Sequence, residues 1–258
     1  MPELSVGEYQ LVYNIISFTL AAMLGSLLFF VLRRNDVAPP YRISLIISAV
    51  VVAIAAYHYA RIFISWGDAF ALAEGVYVPT AQGFNDAYRY VDWLLTVPLL
   101  MAELVLVLRL PRGEGRSLLT KLVVAAALMI GLGWPGEASS AFGTQLVFWV
   151  LSMIPFLYII YVLFTELTQA IQRQPEGAQK FVRLARNLTV VVWLFYPIAY
   201  LFPLVGLEGS TAEVGRQVGY SIADVTAKCA FGVIIYFIAS AKSQADGWFE
   251  ERSAKISW

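Results

Sequence analysis

Apolar runs of membrane-crossing length recur along the chain, separated by short polar stretches. A helix needs about 20 apolar residues to cross a bilayer. Seven runs qualify, over about 8–32, 41–64, 87–108, 118–133, 142–167, 181–204 and 214–240, the fourth being the shortest. Short connections favour antiparallel packing of successive helices. The pattern therefore predicts an all-α membrane protein, a seven-transmembrane-helix bundle forming one domain over residues 1–258. Between the second and third runs, stretch 66–86 contains Gly75-Val76-Tyr77-Val78-Pro79. Its two short alternating runs fit a β-hairpin and an irregular loop equally well.

Polar positions set the orientation. One side collects Arg33, Arg34, Arg42, Arg109, Arg112, Arg116, Lys121, Arg173, Lys180, Arg183, Arg186, Lys242, Arg252 and Lys255. Only Arg61, Arg89, Arg216 and Lys228 of the 18 basic residues fall elsewhere. The basic side is expected to be cytoplasmic, which puts the N-terminus outside and the C-terminus in the cytoplasm. Arg61 and Arg216 fall near outer helix ends and suggest no special role. Composition agrees: 14% of residues are charged, against roughly 25% in soluble domains, and mean hydropathy is +0.69. Zero net charge suggests no nucleic-acid partner. The lone Cys229 cannot form an internal disulfide. No basic run precedes the first apolar segment, so no cleavable signal peptide is evident.

Against this background the charges inside apolar runs need a purpose. The seventh run carries Asp224 and Lys228, four residues apart on one helix face. The third carries Arg89, Asp92, Thr96 and Glu103 on one stripe. Asp92 and Glu103 are separated by about 16 Å of helix rise, half the hydrocarbon thickness. A charge at the bilayer centre costs at least about 2.5–3.5 kcal/mol. Buried ion pairs that lock helix register would account for one Asp–Lys pair. Five groups ordered by depth on two helices fit a proton relay better. A buried lysine also forms Schiff bases with carbonyl compounds. Trp93, Trp193, Tyr196 and Tyr200 could wall a flat polyene aldehyde or fill a helical core, and the last three share a face.

Three motifs, Arg89-Tyr90-x-Asp92-Trp93-Leu94-x-Thr96-x-Pro98-Leu99, Trp193-x-x-Tyr196-Pro197 and Asp224-x-x-x-Lys228, resemble the microbial rhodopsins. The resemblance covers all seven helices in order and spacing. It implies all-trans retinal covalently bound to Lys228 as a protonated Schiff base. Asp92 and Asp224 would be its counterions, Asp92 the proton acceptor, Glu103 the cytoplasmic proton donor, and Arg89 a modulator of proton release. Trp93, Leu100, Trp193, Tyr196, Pro197 and Tyr200 would belong to the retinal site, and Tyr59 would bond Asp224. The sole histidine, His58, would hydrogen-bond Asp92, as in proteorhodopsin-like and xanthorhodopsin-like pumps. Leu100 at the tuning position implies green absorption.

The triplet Asp92, Thr96, Glu103 resembles outward proton pumps of bacteria rather than chloride pumps, which lack the carboxylate at 92. Sodium pumps of the family place asparagine at 92, aspartate at 96 and glutamine at 103. The resemblance thus implies a light-driven outward proton pump of the bacterial plasma membrane, not an enzyme, without a metal and assembled as a trimer or pentamer. A sensory rhodopsin signalling to a separate transducer is the alternative; Glu103 and the short tail after Ser240 speak against it. Trp149 aligns with the glycine that opens a carotenoid site in some xanthorhodopsin-like proteins, so no carotenoid antenna is expected. Glu208 and Glu213 lie near the outer end, but Arg216 occupies the position eight before Asp224. The glutamate pair that releases protons in haloarchaeal pumps is therefore not expected.

Overall fold

The computed structural model describes residues 1–250. Arg252 and Lys255 of the basic tail lie outside the described residues. Seven helical spans cover Val6–Asp36, Pro39–Ala69, Ala87–Leu108, Arg112–Glu137, Phe142–Gln172, Glu176–Tyr200 and Ser210–Ala245. The elements, in chain order, are β1 (Leu4–Ser5), α1 (Val6–Arg33), α2 (Arg42–Ala69), β2 (Phe70–Ala73), β3 (Val76–Pro79), α3 (Ala87–Leu108), α4 (Arg112–Glu137), α5 (Phe142–Phe164), α6 (Glu166–Gln172), α7 (Glu176–Trp193), α8 (Phe195–Tyr200), α9 (Ser210–Asp224) and α10 (Phe231–Ala245). A π-helical turn, Val225–Ala230, joins the last two.

The expected seven-helix bundle is what forms, with one change of proportion. The fourth span is 26 residues long, and the third, with 22, is the shortest. Hydropathy finds only the apolar middle of α4. Its first turns carry Arg112, Glu114 and Arg116, which continue the helix without adding hydrophobicity. The regular helix of the fifth and sixth spans is interrupted at Thr165 and Leu194. The first helix starts at a capping box. Ser5 Oγ accepts from Glu8 N–H, while the Glu8 carboxylate accepts from Ser5 N–H at 2.8 Å, satisfying two donors with no helical partner.

Burial identifies the centre of the bundle. In their most apolar windows the second, third and seventh spans are 56–61% buried, the others 22–28%. The charged residues of the third and seventh spans therefore sit on the innermost helices. Close helix approach is met by glycine: a Cβ on Gly232 would fall 2.4 Å from the Phe30 ring.

The 66–86 stretch resolves in favour of the hairpin. β2 and β3 are antiparallel with Ala73 opposite Val76. The two loop residues, Glu74 and Gly75, both have positive φ, as a tight hairpin turn demands. The sequence did not suggest the third strand: β1 pairs antiparallel with β3, Leu4 opposite Tyr77. Tyr9 stacks on Tyr77 at 3.7 Å between centroids and also contacts Trp66 and Phe70. This sheet covers the bundle end opposite the basic one.

Candidate functional site

The π-helical turn contains Lys228. Such turns displace one residue from the regular ladder and recur at functional sites. Lys228 is 2% exposed, and its Nζ lies between two carboxylates, 2.8 Å from Asp92 Oδ2 and 2.9 Å from Asp224 Oδ1. Arg89, 1% exposed, adds the second cation, so two buried carboxylates face two buried cations. A buried charge left unmatched would be strongly destabilising.

The two carboxylates have different surroundings. Asp224 accepts hydrogen bonds from Tyr59 Oη (2.9 Å), Trp93 Nε1 (3.1 Å) and Tyr196 Oη (2.6 Å). Among the described residues, Asp92 has Lys228 and, at 3.6 Å, His58 Nδ1. That histidine contact is longer than a hydrogen bond. His58 Nδ1 lies 3.0 Å from the Ile54 carbonyl oxygen, a bond available to a histidine inside a helix because the carbonyl one turn earlier lies beside its ring. Thr96 Oγ1 donates to the Asp92 backbone carbonyl at 2.8 Å, not to the carboxylate. Arg89 donates to Tyr59 Oη at 3.0 Å, and Tyr59 in turn donates to Asp224.

A cavity of about 740 Å³, counted out to its open mouth, reaches Lys228 and Asp224. Trp93, Leu100, Trp193, Tyr196, Pro197 and Tyr200 all line it. Trp93 meets Tyr196 edge to face at 4.9 Å. An apolar chamber that reaches one buried amine fits a polyene aldehyde such as retinal. Trp149 also lines this cavity, and its indole N–H donates to the Pro197 carbonyl at 3.0 Å.

Glu103 is fully buried and hydrogen-bonded to Ser48 of α2. Ser48 Oγ also lies 3.2 Å from the Ser44 carbonyl oxygen. Ser48 precedes Tyr59 by 11 residues, the spacing that separates Asp92 from Glu103 on the facing helix.

Arg216 departs from the sequence reading. It is the centre of a partly buried cluster, with contacts to Glu213 (2.7 Å), Glu137 (3.2 Å) and Asp86 (3.4 Å). Gln217 joins this cluster to the interior: its amide donates to Glu213 at 2.8 Å, and its carbonyl accepts from Arg89 at 2.5 Å. The 4-3-4 spacing of Gln217, Ser221, Asp224 and Lys228 marked a polar stripe from which Gln217 was legible. Asp86 and Glu137 come from other helix ends, and no local spacing announces them. Burial raises the Asp86 carboxyl above the ordinary aspartate range, while Arg216 opposes that shift.

A family model described as bacteriorhodopsin-like protein matches residues 11–242. The chain is 32% identical over 225 residues to a blue-light absorbing proteorhodopsin from Gamma-proteobacterium Hot 75m4, covering 86% of this chain and 84% of the relative. It is 34% identical over 218 residues to the bacteriorhodopsin of Halobacterium salinarum, covering 82% and 77%. The crystal structure of xanthorhodopsin, described as a light-driven ion pump with dual chromophore, shares 54% identity and a TM-score of 0.92 over 96% of this chain and 99% of that one. Thermophilic rhodopsin gives 48% identity and a TM-score of 0.93 over the same shares. With its seven spans and buried lysine, the chain belongs to the bacteriorhodopsin-like family of microbial rhodopsins, multi-pass proteins of the cell membrane.

Proposed function

We propose that this rhodopsin is a light-driven proton pump that moves protons from its basic, cytoplasmic side to the side covered by the sheet. The observation that carries this reading is Lys228 Nζ set between Asp92 and Asp224, with buried Glu103 about 16 Å along α3 on the basic side. Lys228 Nζ and the cavity walls would hold all-trans retinal, which would supply the photoisomerisation that drives a proton off that nitrogen.

The chain's own residues set the direction. Asp92 is the acceptor, because three neutral donors already stabilise the charge on Asp224 whereas Asp92 lacks that support. His58, 3.6 Å away, acts on Asp92 through the orientation of its ring. Glu103 returns a proton to the Lys228 nitrogen. Ser48 Oγ, the hydrogen-bond partner of Glu103 on α2, holds that carboxyl in place. Arg89 balances the charge on Asp224 through Tyr59 and meets the outer cluster through Gln217.

Residues 1–258 form one retinal-binding domain in this reading. Leu100 lies on the cavity wall, consistent with green absorption. Trp149, which the resemblance aligns with the antenna-site glycine, lines the cavity, and its bulk supports a pigment without a carotenoid; energy transfer from an added carotenoid to retinal would overturn that. Assembly as a trimer or pentamer rests on the resemblance.

The decisive measurement is pH in an unbuffered suspension of cells expressing the protein with retinal. Light-driven external acidification, abolished by a protonophore, is expected. Alkalinisation that a protonophore enhances would mean inward anion transport and would overturn the assignment.

A further inference from the structure

A second groove, separate from the Lys228 chamber, lies between α4 and α5. One end is polar, with Arg116, Ser117, Thr120 and Lys121. The remainder is apolar, including Val124 and Leu128 of α4 and Ile154 of α5. These three side chains are 50%, 52% and 62% exposed, and in spanning helices that outward surface meets lipid.

The polar end carries unmatched positive charge. Lys121 is paired with Glu166, and Arg173 with Glu114. Among the described residues, Arg116 has no carboxylate within ion-pair distance. The mouth is open as well: a Cβ built on Gly113 would meet nothing within 4 Å. Below Arg116, α4 rises about 12 Å to Val124 and about 12 Å more to Leu132. The roughly 24 Å from Arg116 to Leu132 is close to the roughly 20–22 Å of one leaflet with its headgroup layer.

We propose that this groove is a binding site for one anionic phospholipid. Its phosphate sits at Arg116 beside the hydroxyls of Ser117 and Thr120, and one acyl chain lies along Val124, Leu128 and Leu132. Charge complementarity selects the occupant. A guanidinium grips a phosphate through paired N–H donors, and a zwitterionic headgroup would bring its own cation to an already positive mouth. The expected preference for an anionic over a zwitterionic lipid is about fivefold for one basic residue at the membrane surface. The inference stands apart from the direction of transport.

The test uses the retinal-bound protein in nanodiscs of equal parts phosphatidylglycerol and phosphatidylcholine, followed by release into detergent and native mass spectrometry. The wild type should keep one phosphatidylglycerol about fivefold more often than one phosphatidylcholine. Arg116→Gln should lose the preference, and Arg116→Glu should reverse it. Leu128→Trp should fill the groove and lose both adducts. An unchanged visible absorption band certifies the fold of each variant. Equal retention of the two lipids by the wild type would overturn the proposal, and so would an unaltered preference in Arg116→Gln. Efficient cross-linking between copies through Ile154→Cys in native membranes would also overturn it, since a second copy would then cover the groove.

Discussion

Asp92 and Asp224 are nearly equidistant from Lys228, so their division of labour rests on everything else that touches them. Three hydrogen bonds to an ionised group, each worth about 1.5–3 kcal/mol, separate Asp224 from Asp92. Asp92→Asn is therefore expected to cut light-driven transport by about 10²-fold or more and to red-shift the pigment, since a counterion charge is lost. Tyr196→Phe should leave Asp92 as acceptor but weaken the hold on Asp224, lowering transport less than tenfold; time-resolved absorption and cell-suspension pH check both. At the other end, Glu103→Gln should slow recovery of the dark state by about 100-fold at neutral pH. Ser48→Ala should slow it by about five- to tenfold, the worth of one hydrogen bond. Equal recovery in the Glu103→Gln protein and the wild type would remove Glu103 from the donor role. The charged residues of this site were legible because a charge in an apolar run stands out. Ser48 was not, because serine is unremarkable in a membrane helix until its partner is known. The histidine shows a further limit: sequence placed His58 beside Asp92, but only the geometry shows its Nδ1 turned to Ile54.

At the scale of elements, hydropathy reads the apolar middle of a helix and misses its polar continuation. The seven runs and their order were therefore legible, while the first turns of α4 were not. Breaks within spans are hidden for a related reason. The π-helical turn at Lys228 has no glycine or proline to announce it; the packing of its neighbours decides it. Strand β1 was hidden because two residues are too few for an alternating pattern, and its pairing with β3 is long-range. Helix contact at the chamber shows how tightly elements are fitted. A Cβ on Gly136 of α4 would lie 1.9 Å from Tyr200 Oη and 2.8 Å from Phe148 Cβ. Tyr200 lines the cavity and donates to the Gln145 carbonyl at 2.9 Å. Gly136→Ala should thus destabilise the pigment by about 1–3 kcal/mol through overpacking, read as a lower bleaching temperature. Tyr200→Phe in the same chain should recover part of the loss, since it removes the nearest atom; strict additivity of the two changes would show that they do not meet.

Across the whole molecule, polar side chains are arranged from Ser48 and Glu103, past Lys228 and its two carboxylates, through Arg89 and Gln217, to the cluster around Arg216. That cluster draws on three separate chain segments: Asp86 at the start of α3, Glu137 at the end of α4, and Glu213 with Arg216 in α9. It ties helix ends together, and its stability should depend on pH. Burial is the largest influence on Asp86 and raises its carboxyl above the usual range; Arg216 is the main opposing one. An acid whose folded value is raised binds protons more readily in the folded state. Its contribution to stability is then full below the unfolded value of about 3.9 and is lost as pH rises through the folded value. Arg216→Gln removes the opposing charge, so the Asp86 shift grows and the loss extends to higher pH. Three carboxylates would share the site with no cation in contact, Arg89 reaching it only through Gln217. Breaking a fully buried pair costs about 3–5 kcal/mol; with Arg216 18% exposed at its side chain, about 1–3 kcal/mol is expected here once solvent screening is allowed for. Bleaching temperature measured from about pH 4 to pH 8 should fall more steeply in Arg216→Gln than in the wild type, and Asp86→Asn added to Arg216→Gln should flatten part of that slope. Parallel curves for wild type and Arg216→Gln would mean that Arg216 does not hold these helix ends together through its charge.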